Sequence, residues 1–391
     1  MQSTHPQDPS VAPDPVSAAM GERLLQAWRH GTLVLPLRDE NSPVRLPGLH
    51  TSVLPASLSG QARVSLVGVG ERFAAWRLVP QQNAPVIVRI PHVAPRELHQ
   101  SLSHEIAALT LIPPEVGPDP IAFHDDAATS PIGHPYVVAT DMPGSTAAPE
   151  AWTPMQLELH ARHLARLHTV AAPGRGPVSL GEDPWSQIPP GPASLLGEVE
   201  QLVAQWRDRY GTVIAEHGLE PFLEAALEAV AGIEPEIAAM STSSSGGFVL
   251  AHGDLCATNV LWSRPEPGSE HPVVRYIDFE WAQADDPARD LAIIGGNVHG
   301  GPWYVPMDEQ RVTRFVECYL QARAETGEVP EAVADVAALR RRMHAWTAYE
   351  RTAMLVHVAS AASTRVSHQR VLPCLRSTLA AHLDLEDGAD G

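Results

Sequence analysis

Residues 248–291 constrain this chain more than any other stretch, because short apolar runs alternate there with polar loops. The run 248–251 reads as a strand leading into His252-Gly253-Asp254-Leu255-Cys256-Ala257-Thr258-Asn259, and Val260-Leu261-Trp262 resume extended chain. A turn rich in Pro, Gly and Ser follows, then a β-branched strand over 272–277 that ends in Asp278-Phe279-Glu280. Aromatic and β-branched runs bounded by turn residues are strand signals. Two acidic loops at the ends of adjacent strands point to one site.

The residue types suit phosphoryl transfer. That chemistry needs a carboxylate to orient a hydroxyl and take its proton, and an amide and a second carboxylate to hold Mg2+ against nucleotide phosphates. Asp254 suits the first role; Asn259, five residues on, and Asp278 suit the second. The order D-x-x-x-x-N, strand, D-F-x parallels the catalytic and metal loops of kinases.

With H-G-D-L-x-x-x-N, I-D-F-E-W-A and D-P-x-x-D-L-A in that order, the chain resembles the aminoglycoside phosphotransferase and choline kinase superfamily, which includes macrolide kinases. The likeness runs over about 60–300 and is strongest over 252–292. It implies an α+β, bilobal, protein-kinase-like fold with a small β-rich N-lobe and a large, mainly helical C-lobe. It implies ATP or GTP as donor and Mg2+ as metal. Asp254 would be the catalytic base, Asn259 and Asp278 the metal ligands, and His252 and Asp290 would shape the catalytic loop.

The same resemblance extends to the N-terminal half. Alternating strands flank Gly68-x-Gly70, as in the hairpin that covers a kinase nucleotide; taken by itself a lone G-x-G reads first as an ordinary hairpin turn. The strand 85–91 places Arg89 where kinases carry a phosphate-holding lysine, and V-x-R-I-P is similar to the segment in some macrolide kinases. Arginine keeps the charge but differs in bulk and geometry from lysine. The chain contains no lysine; all 27 basic residues are arginine. A helix expected over 95–112, with Pro95 near its first turn and Leu98, Leu102, Ile106 and Leu109 on one side, carries Glu105 as partner for Arg89. Strands over 121–124 and 135–140 follow, the second leading to a hinge where Ala139 and Asp141 would meet the adenine base by position alone.

Four segments are expected: an irregular extension with one short helix over 1–59, a nucleotide-binding region over 60–140, a linker over 141–150, and a catalytic and acceptor-binding region over 151–391. The short helix falls at 17–30. Thr153 and Pro154 open another, which ends in L-A-x-L-H. Its His160, His163 and His168 lack accompanying carboxylates, and His168 is expected to make a structural hydrogen bond. Two helices over 193–240 carry nine acidic residues, either a wall for an amine-rich acceptor or a solvated face. The loop 296–307 reads as a Gly/Pro loop with exposed aromatics, which either border the acceptor pocket or pack on the core, and helices run on to about 383.

At 391 residues the chain can bury a large core. Its net charge of −19 argues against nucleic acid and anionic membranes as partners, and suits either a cationic small-molecule acceptor or simple solubility. Three separated cysteines give no metal spacing, and Cys256 reads as a small buried residue rather than a nucleophile. The N-terminus lacks the charge and hydrophobicity of a signal peptide, so a cytoplasmic location is the expectation, as monomer or homodimer. The acceptor would be an antibiotic: an aminoglycoside or basic peptide on the acidic balance, a macrolide on V-R-I-P. A choline, amino-alcohol or sugar kinase is the alternative, since D-F-E-W-A resembles the choline kinase side; a nucleotide-binding pseudokinase or regulatory module is a second.

Overall fold

The computed structural model describes residues 12–33, 60–81, 84–94, 97–98, 100–242, 246–265, 267–268 and 270–385. The parts of the expected extension at 1–11 and 34–59, Pro95 of the expected helix over 95–112, and residues 386–391 lie outside them. The chain divides into two compact units. The first runs to Met142 and includes Val178–Ser186 and Phe279–Trp281; the second comprises Pro143–Pro177, Gln187–Asp278 and the chain from Ala282.

In the first unit, α1 (Ala18–Arg29) precedes β1 (Ala62–Val69), β2 (Phe73–Pro80), β3 (Val86–Pro91), α2 (Leu102–Leu111), β4 (Pro120–His124) and β5 (Tyr136–Thr140). The strands form one antiparallel sheet in the order β1-β2-β3-β5-β4. Side chains alternate across a strand, so β3 sends Val86, Val88 and Ile90 to one face. There they join Met20, Leu24 and Trp28 of α1 in a single apolar cluster. On the other face Phe73 and Val137 meet Leu102 and Ile106 of α2. Helix α1 is further fastened at its ends, by Trp76 Nε1–H to Pro15 O (2.8 Å) and Tyr136 O–H to Leu33 O (2.7 Å).

Helix α2 starts at Leu102, later than the apolar spacing suggests. Glu97 closes a tight turn on Ala94: its N–H donates to Ala94 O (2.8 Å) and its carboxylate accepts Ala94 N–H (3.0 Å). Ser101 is then extended (φ −71°, ψ 155°) at the helix start, a position serine favours. Leu98 still packs on the α2 cluster without being helical.

The second unit holds α3 (Pro154–Leu167), α4 (Leu196–Glu216), α5 (Glu220–Thr242), β6 (Val249–Ala251), β7 (Val260–Ser263), β8 (Val273–Tyr276), β9 (Gln283–Asp285), α6 (Pro287–Ile293), β10 (Gly295–Gly296), β11 (Val305–Pro306), α7 (Glu309–Thr326), α8 (Glu331–Ala334), α9 (Val336–Ala361) and α10 (Val366–His382). The pairs β6/β9 and β7/β8 are antiparallel, and β10/β11 is parallel. Thr153 caps α3 with a full capping box through Gln156, and Pro154 is its first residue. Helix α9 packs against α5, α6 and α10, and α3 packs against α7.

Acidic residues anchor α6 from below. Asp286 caps it at Ala288 N (3.1 Å) and also accepts from Arg342 Nε (2.9 Å) and Trp346 Nε1 (3.2 Å). Buried Asp285 bridges Arg175 (2.7 Å) and Arg289 (3.1 Å). Burial would raise its pKa, but the two guanidinium groups hold it below the usual range. Of the two readings open for the loop 296–307, Tyr304 takes the core one: it is buried beneath Arg351, 3.4 Å from ring centre to guanidinium carbon, while Trp303 is half-buried. The short β10/β11 pairing draws the loop inward, and only glycine fits at 295, where a Cβ would lie 2.1 Å from Val305 O.

If α1 is part of the core of its unit, Trp28→Ala should destabilise the protein by about 3–5 kcal/mol. Denaturant unfolding reads this directly; an unchanged midpoint would mean that α1 is a dispensable appendage.

Candidate active site

The second unit gathers Asp254, Asn259 and Asp278 by strand register. Strand β7 pairs with β8 so that Val260 faces Tyr276. One step beyond, Ile277 N–H donates to Asn259 O (3.1 Å), which sets Asp278 beside the loop over 252–259. Asp278 itself has φ 70°, a left-handed conformation uncommon for a residue with a Cβ and concentrated at functional sites.

The loop is held from within and from below. Asn259 Nδ2 donates to Asp254 O (2.7 Å) and to Asp254 Oδ2 (3.0 Å). Since the amide is planar, this fixes which way Oδ1 faces. His252 Nε2–H donates to Ile277 O (3.0 Å), and its Nδ1 accepts Asp254 N–H (3.3 Å). Below, Asp290 accepts His252 N–H at 2.7 Å, Gly253 N–H at 2.9 Å and His168 Nε2–H at 3.1 Å. Asp290 is fully buried. Burial would raise its pKa, but these donors, His168 first, hold it below the usual carboxylate range.

Asp254 is half-buried by surface area, yet enough protein surrounds it that burial leads the causes pushing its carboxyl up to about 7; the charges of Asp278 and Glu350 add to this. Glu350, on α9, has 19 % of its side chain exposed and bonds Arg289 Nε at 2.8 Å. Sequence reading missed it, because a single glutamate between Tyr349 and Arg351 on a long helix gives no local signal. The nine acidic residues of 193–240 are differently occupied. Glu198 bonds Arg175, Glu220 bonds Arg207, and Glu236 bonds Arg341 and Arg342; Glu234 accepts the Leu195 and Leu196 amides. The other five are exposed or carry no role in this loop that the structure reveals.

Buried Cys256 sits 3.0 Å from Thr258 Oγ1, and burial pushes its thiol up, away from nucleophilic thiolate chemistry. His160 hydrogen-bonds Tyr276 (3.0 Å) and stacks on Phe315. Among the described residues no group of three or more His, Cys, Asp or Glu side chains could enclose a metal by itself.

The first unit carries the other expected residues. Arg89 on β3 forms ion pairs with Glu105 of α2 and with Glu280 (3.4 Å), and its guanidinium carbon lies 4.5 Å from the centre of the Phe73 ring. The Glu105 partner follows from the helix pattern; Glu280 is an addition, supplied by the D-F-E segment. Gly68 and Gly70 lie at the β1–β2 hairpin, where Gly70 N–H donates to Phe73 O (2.8 Å). A side chain at Gly68 would meet no other atom, so its own packing does not demand glycine there. Ala139 lies in β5 between β3 and β4, so its backbone is within the sheet. Asp141 N–H is committed to Pro85 O (3.0 Å), and the Asp141 carboxylate pairs with Arg77.

The sequence model described as the phosphotransferase enzyme family matches residues 63–323. The fold is similar to that of a point mutant of aminoglycoside 2'-phosphotransferase IIIa in its GDP complex, at 16% identity and a TM-score of 0.52, over 84% of this chain and 93% of that one. It is also similar to choline kinase from Cryptosporidium parvum, at 11% identity and a TM-score of 0.51, over 86% of this chain and 90% of that one. No curated protein matches the chain by sequence. No helix among the described residues is long and apolar enough to cross a membrane.

Replacing Asp290 by asparagine should weaken the loop by about 1.5–3 kcal/mol, the worth of one hydrogen bond to a charged group. The pH dependence has a definite sign. Because the folded protein holds Asp290 below the reference value of 3.8, its contribution is complete above that pH and is lost as pH falls through the lower, folded value. Urea unfolding of both proteins should show a gap at neutral pH that shrinks in acid. A gap that is absent, or that widens in acid, would contradict the role given to this carboxylate.

Proposed function

The chain belongs to the phosphotransferase enzyme family, and on that premise we propose that it transfers the γ-phosphoryl group of ATP or GTP to a hydroxyl of a small-molecule acceptor, an antibiotic first among them. One observation carries the reading: Asp254 and Asn259 face each other across a single loop, joined at 3.0 Å, with Asp278 delivered beside them by the β7/β8 register.

In this reading Asp254 accepts the acceptor's hydroxyl proton. A carboxylate raised to about 7 is a stronger base than an ordinary one and can still be ionised near neutrality. The bond from Asn259 Nδ2 aims it, and the Asp290 anchorage keeps the loop from yielding when the hydroxyl approaches. Proximity and orientation of this kind supply much of the rate in phosphoryl transfer.

Mg2+ fits the donor set. Asn259 Oδ1 and the Asp278 carboxylate are hard oxygen donors. Two protein ligands suit an ion that takes its remaining oxygens from phosphates and water, and the described residues build no self-sufficient metal cage. When bound, the ion neutralises charge on the phosphates. Arg89, gripped by Glu105 and Glu280, would contact the phosphates with a planar fork that lysine cannot reproduce. ATP or GTP as donor, and an acceptor drawn to an acidic protein, remain parts of the same proposal; the −19 net charge supports the latter.

The test is transfer of labelled γ-phosphate from ATP and GTP to aminoglycosides, macrolides, basic peptide antibiotics, choline and simple sugars. Labelling of an antibiotic class is expected, with Asp254→Ala reducing it by about 10²–10⁴-fold. Labelling of choline or sugars instead would move the acceptor to the other branch of the superfamily; wild-type rates in Asp254→Ala would remove Asp254 as the base. Arg89→Lys should raise the nucleotide KM about tenfold, the loss of roughly one charged hydrogen bond. An unchanged KM would exclude Arg89 as a phosphate ligand.

A further inference from the structure

The anchor beneath the catalytic loop extends one residue further than the family motifs reach. His168 follows α3 and is fully buried. Its Nε2 meets Asp290 Oδ2 at 3.1 Å, and its Nδ1 meets Tyr319 Oη, on α7, at 2.9 Å. Tyr319 is fully buried as well. We propose that Tyr319 is a positioning residue for the catalytic loop: by donating its phenolic proton to His168 Nδ1, it holds the His168 ring in the orientation that presents Nε2–H to Asp290. The proposal rests on the reading of Asp254 as the base that this loop presents.

The directions of the hydrogen bonds leave little choice. A carboxylate only accepts, so the proton between His168 and Asp290 must sit on Nε2. A neutral imidazole then carries a lone pair on Nδ1, which in a dry interior needs a donor. Tyr319 supplies it. Its own burial pushes the phenol further from ionisation, and burial leads the causes that keep His168 neutral against the pull of Asp290. The phenol is therefore a fixed donor and the imidazole a one-proton relay.

Helix α7 grips His168 at a second point. Arg323, four residues after Tyr319 and so on the same face of the helix, donates to the His168 carbonyl through Nη1. The packing of α3 on α7 thus fixes both the backbone and the ring of His168.

The ring's freedom without that bond shows what the phenol prevents. With Nδ1 unpaired the imidazole can turn, and Nε2–H then leaves its line to Asp290 Oδ2, 3.1 Å away. Asp290 would shift, and with it the bonds at 2.7 Å and 2.9 Å that hold His252 and Gly253. Asp254 is the next residue, so its carboxylate would lose its fixed direction. Misplacement of about 1 Å in a catalytic group can cost about 10²-fold in rate.

Tyr319→Phe removes one oxygen and keeps the ring, so the packing against α3 is preserved. Histidine ring 15N spectra of the full-length protein report the tautomer without reference to activity, with the His168→Gln variant identifying the signal. The wild type should show His168 as the Nε2–H tautomer. In Tyr319→Phe the His168 Nδ1 signal should shift as it loses its donor, and the Gly253 amide proton should shift. With the acceptor found by the transfer assay, kcat should fall about tenfold while both KM values stay within about twofold. A wild-type His168 that is Nδ1–H or doubly protonated overturns the proposal. So does a Tyr319→Phe protein whose Gly253 amide signal stays in place, or one in which it moves with kcat unchanged. If no acceptor is labelled by the wild type, the functional reading fails on that result, and the tautomer and Gly253 signals alone still decide the role of Tyr319.

Discussion

A full negative charge in a place without water must be answered by donors, and Asp290 is that charge. It accepts two consecutive backbone amides of the catalytic loop and one imidazole N–H, and is fully buried. Charge-assisted bonds of this kind are stronger and more directional than neutral ones. Remove the charge, and the loop loses the acceptor shared by two of its consecutive amides. Everything the site needs from Asp254 and Asn259 begins with that anchorage.

The surrounding fold makes the anchor possible. Asp286 and Pro287 start α6 so that Asp290 arises on its first turn, beneath the loop. Asp286 is itself tied to α9 through Arg342 and Trp346, and Asp285 to Arg175 and Arg289. Three acidic residues within six positions therefore do different work: two lock α6 in place by ion pairs, and the third faces the loop. Buried ion pairs are costly to break from one side, so this arrangement resists local opening.

The loop over 252–259 and its neighbour Asp278 were legible in sequence as one cluster because the residues proposed for the chemistry are contiguous or lie at short, fixed spacings. The caps of α3 and α6 were legible for the same reason. What sequence missed is long-range. Glu350 and Tyr319 lie 96 and 65 positions from Asp254 and meet the site only through helix packing, which leaves no local pattern. The start of α2 was misplaced because a turn closed by Glu97 competes with an apolar spacing that continues through Leu98. For the loop around Tyr304 sequence left exposure and core packing both open because Gly and Pro dominate it; a short parallel pairing draws Tyr304 into the core. Helix α1 was visible from its periodicity, but its role in covering one face of the sheet was not.

The central claim is that the two loop carboxylates hold different jobs: Asp254 serves the acceptor and Asp278 the metal-bound nucleotide. Calorimetric titration of nucleotide with and without Mg2+ separates them most directly. Asp254→Ala should bind Mg-nucleotide with nearly wild-type affinity, while Asp278→Ala should lose the Mg2+-dependent part of binding. Equal weakening of both variants, or Mg2+-dependent binding that survives in Asp278→Ala, would contradict the division of roles.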